Sequence, residues 1–308
     1  MNLKGKDYLS LLDFNTEEVY LLLDIAKRLK QETKIGIEHK VLKDKVLVMI
    51  FSKPSLRTRV SFEVGIHQLG GTSIVLKQDE INLGVRETIA DTARTLSRYA
   101  DAVMIRTFAH SDVVEFAKAA TIPVINGLTD SSHPCQILAD LLTIREKFGQ
   151  LQDLKLTYLG DGNNIAHSLL IGCALVGMDV TIGCPEGFNP DEEYVKRAEE
   201  IAIKSGSKIV ISNDPVEAVK NANVVYTDVW ASMGQEAEAE ERKQIFKAFQ
   251  VNAELLEHAS EDVIVLHCLP AHREEEISEE ILEKNSDVIF EQAENRLHAQ
   301  KAIMAAIM

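Results

Sequence analysis

Residues 45–71 read "KVLVMIFSKPSLRTRVSFEVGIHQLGG". The apolar run at 46–51 predicts a buried strand, and "VSFEVGIHQLGG" after it has the pattern of a helix. A strand that hands over directly to a helix is the repeating unit of a parallel sheet covered by helices. The hand-over segment, "SKPSLRTR", is polar and cationic. Helix N-termini carry unpaired N–H groups and the positive end of the macrodipole, so such a turn can hold an anion. Ser55 and Thr58 can donate hydroxyl bonds, and the planar fork of Arg57 suits phosphate oxygens. The same residues also fit a serine N-cap followed by two solvated arginines, Arg57 and Arg59. The segment is not a Walker loop, because no GxxxxGK[ST] pattern is present.

The alternation continues outward in both directions. Further strands are predicted at "TSIVL" (72–76), "DAVMIRT" (101–107) and "IPVING" (122–127), and then at "KLTYLGDG" (155–162), "DVTIGCP" (179–185), "KIVISN" (208–213), "NVVYTDVW" (223–230) and "VIVLHCLP" (263–270). Helical patterns lie around them, at "NTEEVYLLLDIAKRLKQET" (15–33), "ETIADTARTLSRYA" (87–100), "SDVVEFAKAA" (111–120) and "DEEYVKRAEEIAIKSG" (191–206). Four strands precede residue 135 and five follow 153, with "HPCQILADLLTIREKFG" (133–149) as a long helix between them. The expected fold is α/β, in two domains that are each a parallel sheet flanked by helices and are joined by interdomain helices. The last stretch, "AENRLHAQKAIMAAIM" (293–308), reads as a helix returning to the first domain.

The bulk numbers agree with this class. The chain has 308 residues, 45% hydrophobic and 26% charged, enough for a large core. Its formal charge of −15 argues against a nucleic-acid or anionic-membrane surface, so any anion site must be built from particular arginines. The four cysteines (Cys135, Cys173, Cys184, Cys268) show no CxxC spacing and suggest neither a disulfide framework nor a zinc knuckle. The opening "MNLKGKDYLSLLDF" lacks the apolar core of a signal peptide, and no apolar run has membrane-spanning length, so a cytoplasmic protein is expected.

In open parallel sheets, ligands bind at the carboxyl ends of strands. That rule selects the loops 52–59, 106–110, 126–136, 160–168, 228–234 and 267–273, where out-of-place polar residues cluster. Arg106 ends a strand in "MIRTF". His133 and Gln136 open the helix at 133, a position that also suits a turn or cap. "YLGDGNN" follows a strand and precedes a helix, but Ile165 and Ala166 stand where the third glycine of GxGxxG would fall. A tight turn with an asparagine at an unusual backbone angle explains it equally well. Asp228 at the end of "VVYTDVW" fits a helix cap, and Cys268 after "VIVLH" fits an inert buried thiol.

Taken together, "SLRTR", "MIRTF", "HPCQILADLL" (133–142), "GDGNNIAHS" (160–168), "DVWASMGQE" (228–236), "HCLPAHREEE" (267–276) and "AENRLHAQKA" (293–302) resemble, in order and spacing, the signatures of the aspartate/ornithine carbamoyltransferase family. The "SMG" segment with its upstream Asp and the "HCLP" segment are similar to the ornithine branch. The resemblance covers essentially the whole chain and implies transfer of the carbamoyl group of carbamoyl phosphate to the δ-amine of L-ornithine, giving L-citrulline and phosphate.

The resemblance implies domains at 1–147 (carbamoyl phosphate), 148–290 (ornithine) and 291–308 (C-terminal helix packing back on the first). It assigns carbamoyl phosphate to Ser55, Leu56, Arg57, Thr58, Asn82, Arg106, His133, Gln136, Cys268, Leu269 and Arg296. His133, Arg106 and Cys268 are the residues expected to act in catalysis. Ornithine falls to Asn164, Asp228, Ser232 and Met233. No metal and no other cofactor is expected, because positioning two substrates and stabilising an oxyanion can account for the rate. A homo-oligomer is implied, a trimer or multiple of trimers with active sites shared between subunits.

Two positions depart from the family's usual wording. Leu56 stands where the family usually has Thr, and Asn82, one methylene shorter, where ornithine enzymes usually have Gln. The Ser-Leu-Arg-Thr-Arg form also resembles the branch acting on acylated ornithine, so putrescine or an N-acylated ornithine are the nearest alternative acceptors. A non-catalytic ligand-binding relative, or a nicotinamide-dependent dehydrogenase of two α/β domains, are the alternatives from other classes.

Overall fold

The computed structural model describes residues 2–231 and 236–308. Its elements run α1 (Thr16–Lys34), β1 (Val46–Phe51), α2 (Leu56–Gln68), β2 (Thr72–Lys77), α3 (Gln78–Ile81), α4 (Ile89–Leu96), β3 (Ala102–Arg106), α5 (His110–Ala119), β4 (Val124–Leu128) and α6 (Pro134–Phe148). They continue as β5 (Lys155–Leu159), α7 (Asn164–Val176), β6 (Asp179–Gly183), α8 (Glu192–Ser205), β7 (Ile209–Ser212), α9 (Pro215–Val219) and β8 (Val224–Thr227). The last are α10 (Ala239–Phe246), α11 (Ala253–Leu256), β9 (Ile264–His267), α12 (Glu279–Lys284) and α13 (Ser286–Ile307).

The chain divides into two compact units, Met1–Leu142 with Asn295–Met308, and Thr143–Glu294. It crosses between them inside α6 and inside α13. In the first unit β1 to β4 form a parallel sheet in the order β2-β1-β3-β4. The central strands β1 and β3 are buried nearly throughout, as their unbroken apolar runs require. Val48, Ile50, Val103, Ile105 and Val124 pack with Val113 and Phe116 of α5.

The second unit has the parallel order β7-β6-β5-β8-β9. One side of its core joins Leu159, Val225 and Val265 to Phe249, Ile277, Ile281 and Ile289. α7 carries a mostly apolar sequence and is buried over almost its whole length, Ile165 to Val176.

Two helices differ from the sequence expectation. The helix expected at 87–100 is confined to Ile89–Leu96: Thr88 caps its start, and Ser97 closes it by bonding back to the Ala93 carbonyl. The C-terminal helix begins at Ser286, earlier than expected, because "SDVIFEQ" continues the same helix without a breaker.

In both sheets the strand order reverses beside the first strand, between β1 and β3 and between β5 and β8. Loops leaving neighbouring strands there diverge to opposite faces of the sheet and open a crevice at the carboxyl ends. These two crevices carry the candidate residues.

Candidate active site

In the first unit, β1 delivers the chain to the segment 52–55, and Ser52 N–H donates to the Arg106 carbonyl at 2.8 Å, tying the ends of β1 and β3 together. Ser55 caps α2 from extended backbone, its Oγ accepting from Thr58 N–H at 3.2 Å. The N-cap reading of Ser55 therefore holds, and it places the following residues on the first turn of α2, where N–H groups point outward. Thr58 is buried and lies at the centre of the cluster. Its Oγ1 accepts from Arg106 Nη1 at 3.3 Å and from Arg296 Nη2 at 3.2 Å. Arg296, in α13, also donates through Nη1 to Gln136 Oε1 at 2.6 Å, and Gln136 Nε2 donates to Asp140 Oδ1 at 2.8 Å.

Arg106 reaches this cluster through a strand irregularity. The β3–β4 register runs Ile105 to Asn126 and then Arg106 to Leu128, so Gly127 is an extra residue. A Cβ at Gly127 would stand 2.4 Å from Met104 Sδ, which explains the glycine.

His133 is buried, and its imidazole is held well below its ordinary pKa by burial, then by the positive charges of Arg296, Arg106 and Arg57. It is therefore neutral at physiological pH and can offer one N–H donor. The three guanidinium groups that depress it make this crevice strongly positive inside a chain of net charge −15. Lys53, which the sequence reading passed over, adds to it. Its ammonium lies 3.9 Å from the Phe108 ring centroid, and burial and Arg106 lower its pKa. The lysine of "FSKP", at the carboxyl end of β1, was the available signal.

The other residues expected here are differently placed. Leu56 begins α2 with its side chain 74% exposed. Asn82 is exposed and closes α3 in the left-handed region, φ 46°. Arg59 points to Glu63 on the exposed side of α2. Cys135 is packing: its thiol donates to the Asn126 carbonyl at 3.3 Å, and burial pushes its pKa up to about 12.

In the second unit β8 and β9 pair with Thr227 opposite His267, so the next residues, Asp228 and Cys268, emerge side by side. Cys268 Sγ donates to Asp228 Oδ1 at 3.0 Å, and the same oxygen accepts from Val229 N–H at 2.8 Å. Asp228 is buried, and burial raises its pKa above the usual 3.8 despite the opposing pull of His267 and these hydrogen bonds.

His267 does not activate Cys268. Its Nδ1 accepts from Leu269 N–H at 2.8 Å and its Nε2 lies 3.0 Å from Glu276 Oε1, both side chains being fully buried. The Leu269 bond fixes the tautomer with the proton on Nε2, directed to the carboxylate. Leu269 itself sits at φ 59°, before a cis peptide to Pro270. The His267 bond helps hold that left-handed backbone.

Asn164 is the first residue of α7, while Asn163 caps it, its Oδ1 accepting from Ile165 N–H and Ala166 N–H at 2.9 and 3.4 Å. The unusual backbone angle expected of an asparagine belongs instead to Gly160, φ 155°; Asn163 is near-extended with φ −87°. Gly162 is required by close approach, because a Cβ there would lie 2.2 Å from Pro190 N. Arg242 joins two of the loops, donating to Asp161 Oδ2 at 2.7 Å and to the Trp230 carbonyl at 3.0 Å. Ser232 and Met233 lie outside the described residues.

Among the described residues, two donor groups could accommodate a cation by proximity, Asp228 with His267 and Cys268, and His272 with Glu275 and Glu276, each within 4.8 Å. In the first, both ring nitrogens of His267 are already engaged, so a cation there would have to displace the Leu269 or Glu276 contact. No helix of the described residues is long and apolar enough to cross a membrane.

Comparison with known proteins extends this picture to the whole chain. Residues 6–146 match the model of the aspartate/ornithine carbamoyltransferase carbamoyl-P binding domain, and residues 152–307 match that of the Asp/Orn binding domain. An ornithine carbamoyltransferase of Thermococcus kodakarensis is 56% identical over 308 residues, covering 100% of this chain and 98% of that one. The anabolic ornithine carbamoyltransferase of Pyrococcus furiosus is 54% identical, with coverage of 100% and 98%. The solved structure of ornithine carbamoyltransferase from P. furiosus superposes with a TM-score of 0.98, at 54% identity and the same coverage. Both sheets, and the crevices that open beside β1 and β5, are thus those of the aspartate/ornithine carbamoyltransferase family, to which this chain belongs.

Proposed function

We propose that the chain transfers the carbamoyl group of carbamoyl phosphate to the δ-amine of L-ornithine, yielding L-citrulline and phosphate. The observation that carries the donor half is the gathering of Arg57, Arg106 and Arg296 around Thr58 and a neutral His133. Ser55, Arg57, Thr58 and the first-turn N–H groups of α2, Leu56 included, bind the phosphate. An exposed Leu56 side chain leaves that backbone contribution intact. Arg106 and His133 donate to the carbonyl oxygen, and the second lone pair of Gln136 Oε1 accepts from the carbamoyl amide. Arg296 completes the positive wall.

The acceptor half rests on the Asp228–Cys268 pair. Asp228 faces the α-ammonium of ornithine, with Asn164, Ser232 and Met233 taking the rest of the amino-acid group. Cys268 lies by the δ-amine, and the Cys268 and Leu269 carbonyls accept its N–H groups. The nitrogen lone pair attacks the carbonyl carbon, and the N–C bond forms as charge develops on the oxygen. Collapse of that intermediate breaks the C–O bond to phosphate, which leaves as an anion held by the arginines and takes up the proton the amine releases. An alkyl amine with a pKa of ~10 is mostly protonated at neutral pH, so orientation of its free form is part of the task.

Residues 1–147 form the carbamoyl phosphate domain and 148–290 the ornithine domain, with 291–308 returning to the first. The protein works in the cytoplasm as a homotrimer or a multiple of one, with Asn82 presented toward a neighbouring subunit. A fully active monomer in sedimentation would contradict that assembly. The decisive assay compares carbamoyl transfer to ornithine, putrescine, aspartate and N-acetylornithine. Ornithine is expected to exceed putrescine and N-acetylornithine by at least ~100-fold in kcat/KM, because a buried Asp228 left without its ammonium penalises an acceptor that lacks it. Preference for putrescine or N-acetylornithine would overturn the acceptor assignment. The anabolic label of the P. furiosus relative favours the citrulline-forming direction, in arginine biosynthesis.

A further inference from the structure

Gln136 stands between two partners that each allow only one kind of hydrogen bond. Arg296 is a donor without an acceptor, and its Nη1 lies 2.6 Å from Gln136 Oε1. One helical turn away on α6, Asp140 Oδ1 lies 2.8 Å from Gln136 Nε2. A carboxylate can only accept. Reversing the carboxamide would set an NH2 group against a guanidinium and an oxygen against a carboxylate, in a site where Gln136 and Arg296 are 2% exposed and Asp140 0%. At that depth of burial, two such mismatches are costly. The amide therefore has one orientation.

The geometry points to Asp140 as a positioning residue for carbamoyl transfer: it fixes the Gln136 carboxamide so that Oε1 faces Arg296 and the carbamoyl group. Asp140 touches neither substrate. It acts through Gln136 and, one bond further, on Arg296, whose second arm reaches Thr58 Oγ1 at 3.2 Å. Two roles of the donor half then depend on one carboxylate: the acceptor aimed at the carbamoyl NH2, and the seating of Arg296. The inference rests on the placement of Gln136 and Arg296 at carbamoyl phosphate given above.

The test is a double-mutant cycle with Asp140→Ala and Gln136→Ala, read as KM for each substrate and kcat. Losing the acceptor should lower kcat/KM for carbamoyl phosphate roughly tenfold to thirtyfold, the range for one orphaned buried polar partner. The KM for ornithine should stay within about twofold. In the Gln136→Ala background, Asp140→Ala should cost no more than about twofold further, since the group it positions is gone. Asp140→Asn preserves the volume and an acceptor oxygen, so it should retain most of the activity; a wild-type-like melting temperature there would separate positioning from folding. Should Asp140→Ala fail to fold, the cycle run with Asp140→Leu, which fills the volume without supplying an acceptor, must show the same non-additivity.

Losses that multiply, or KM values that rise equally for both substrates, would overturn the role of Asp140 while leaving Gln136 in the site. Wild-type carbamoyl phosphate kinetics in Gln136→Ala alone would remove Gln136 from the site, and the inference with it.

Discussion

Arg57→Ala is expected to lower kcat/KM for carbamoyl phosphate by at least ~100-fold, with the KM for ornithine changed less than about threefold. The size follows from what the residue supplies. A guanidinium fork offers two parallel charge-assisted bonds to a phosphate, each worth roughly 1.5–3 kcal/mol when the partner is charged. Every 1.4 kcal/mol is about tenfold, so two bonds exceed a hundredfold. Arg57→Lys should fall between, because it keeps the charge and loses the fork. Steady-state kinetics with each substrate varied separately checks this, and equal losses for both substrates would move Arg57 out of the phosphate site. A second readout comes from His133, whose imidazole is depressed partly by Arg57. Removing that charge should raise the pKa of His133, measurable by NMR titration, even in a variant too slow to assay.

The strands were legible because each is a short apolar run, and all nine runs named from the sequence form strands. The crevices were legible for the same reason: the carboxyl-end rule needs only the strand ends, and Arg106, Asp228 and Cys268 are strand-end residues. Hydropathy misread the helices that wrap the donor site. On α13 the buried residues include Asn295, Arg296, Gln300 and Lys301, a polar face that periodicity would turn to solvent. On α2 the reverse occurs, with Leu56, Val60 and Val64 exposed at four-residue spacing while Thr58 and Gly65 are buried. The cause is packing between those two faces. A Cβ at Gly65 would lie 3.0 Å from Met304 and 3.2 Å from Lys301. Lys301 instead donates to Gln68 Oε1 and Thr33 Oγ1, and burial lowers its pKa to about 8.

Pairs far apart in the chain were likewise invisible to hydropathy and were brought to one ligand only by the family resemblance. Thr58 and Arg296 are 238 positions apart, and nothing in either segment announces the other. Composition alone would leave Arg296 as an ordinary solvent-facing helix residue, and only the family resemblance set it at carbamoyl phosphate; it is 2% exposed. His267 and Glu276 are nine apart, but "HREEE" offers three glutamates and a histidine, so composition could not say which carboxylate turns inward. Asp140 was visible only as a letter of the "HPCQILADLL" run. Its four-residue spacing from Gln136 puts both on one helix face, but only the geometry shows that they bond.

Asp228→Asn should separate stability from activity at a single position. The carboxyl group is buried and its pKa raised by desolvation, so folding places it where its charged form is disfavoured. The unfolded chain does not bear that cost. The penalty is present above the raised folded-state pKa and is relieved as pH falls through it toward the unfolded value near 3.8. An amide oxygen can still accept from Cys268 Sγ and Val229 N–H, the two partners of Oδ1. The variant is therefore expected to melt higher than wild type at pH 7 and to lose that advantage under acid conditions. Its KM for ornithine should nonetheless rise by ~100-fold, the effect of removing a buried charge that pairs with an ammonium. The carbamoyl phosphate constants should hold. In wild type, kcat/KM for ornithine should fall on the acid side as Asp228 takes up its proton, over a range above that of an ordinary carboxylate; in Asp228→Asn that limb should be absent. A variant that was less stable at pH 7, or that kept the acid limb, would mean that Asp228 is a structural carboxylate and that another group binds the ammonium.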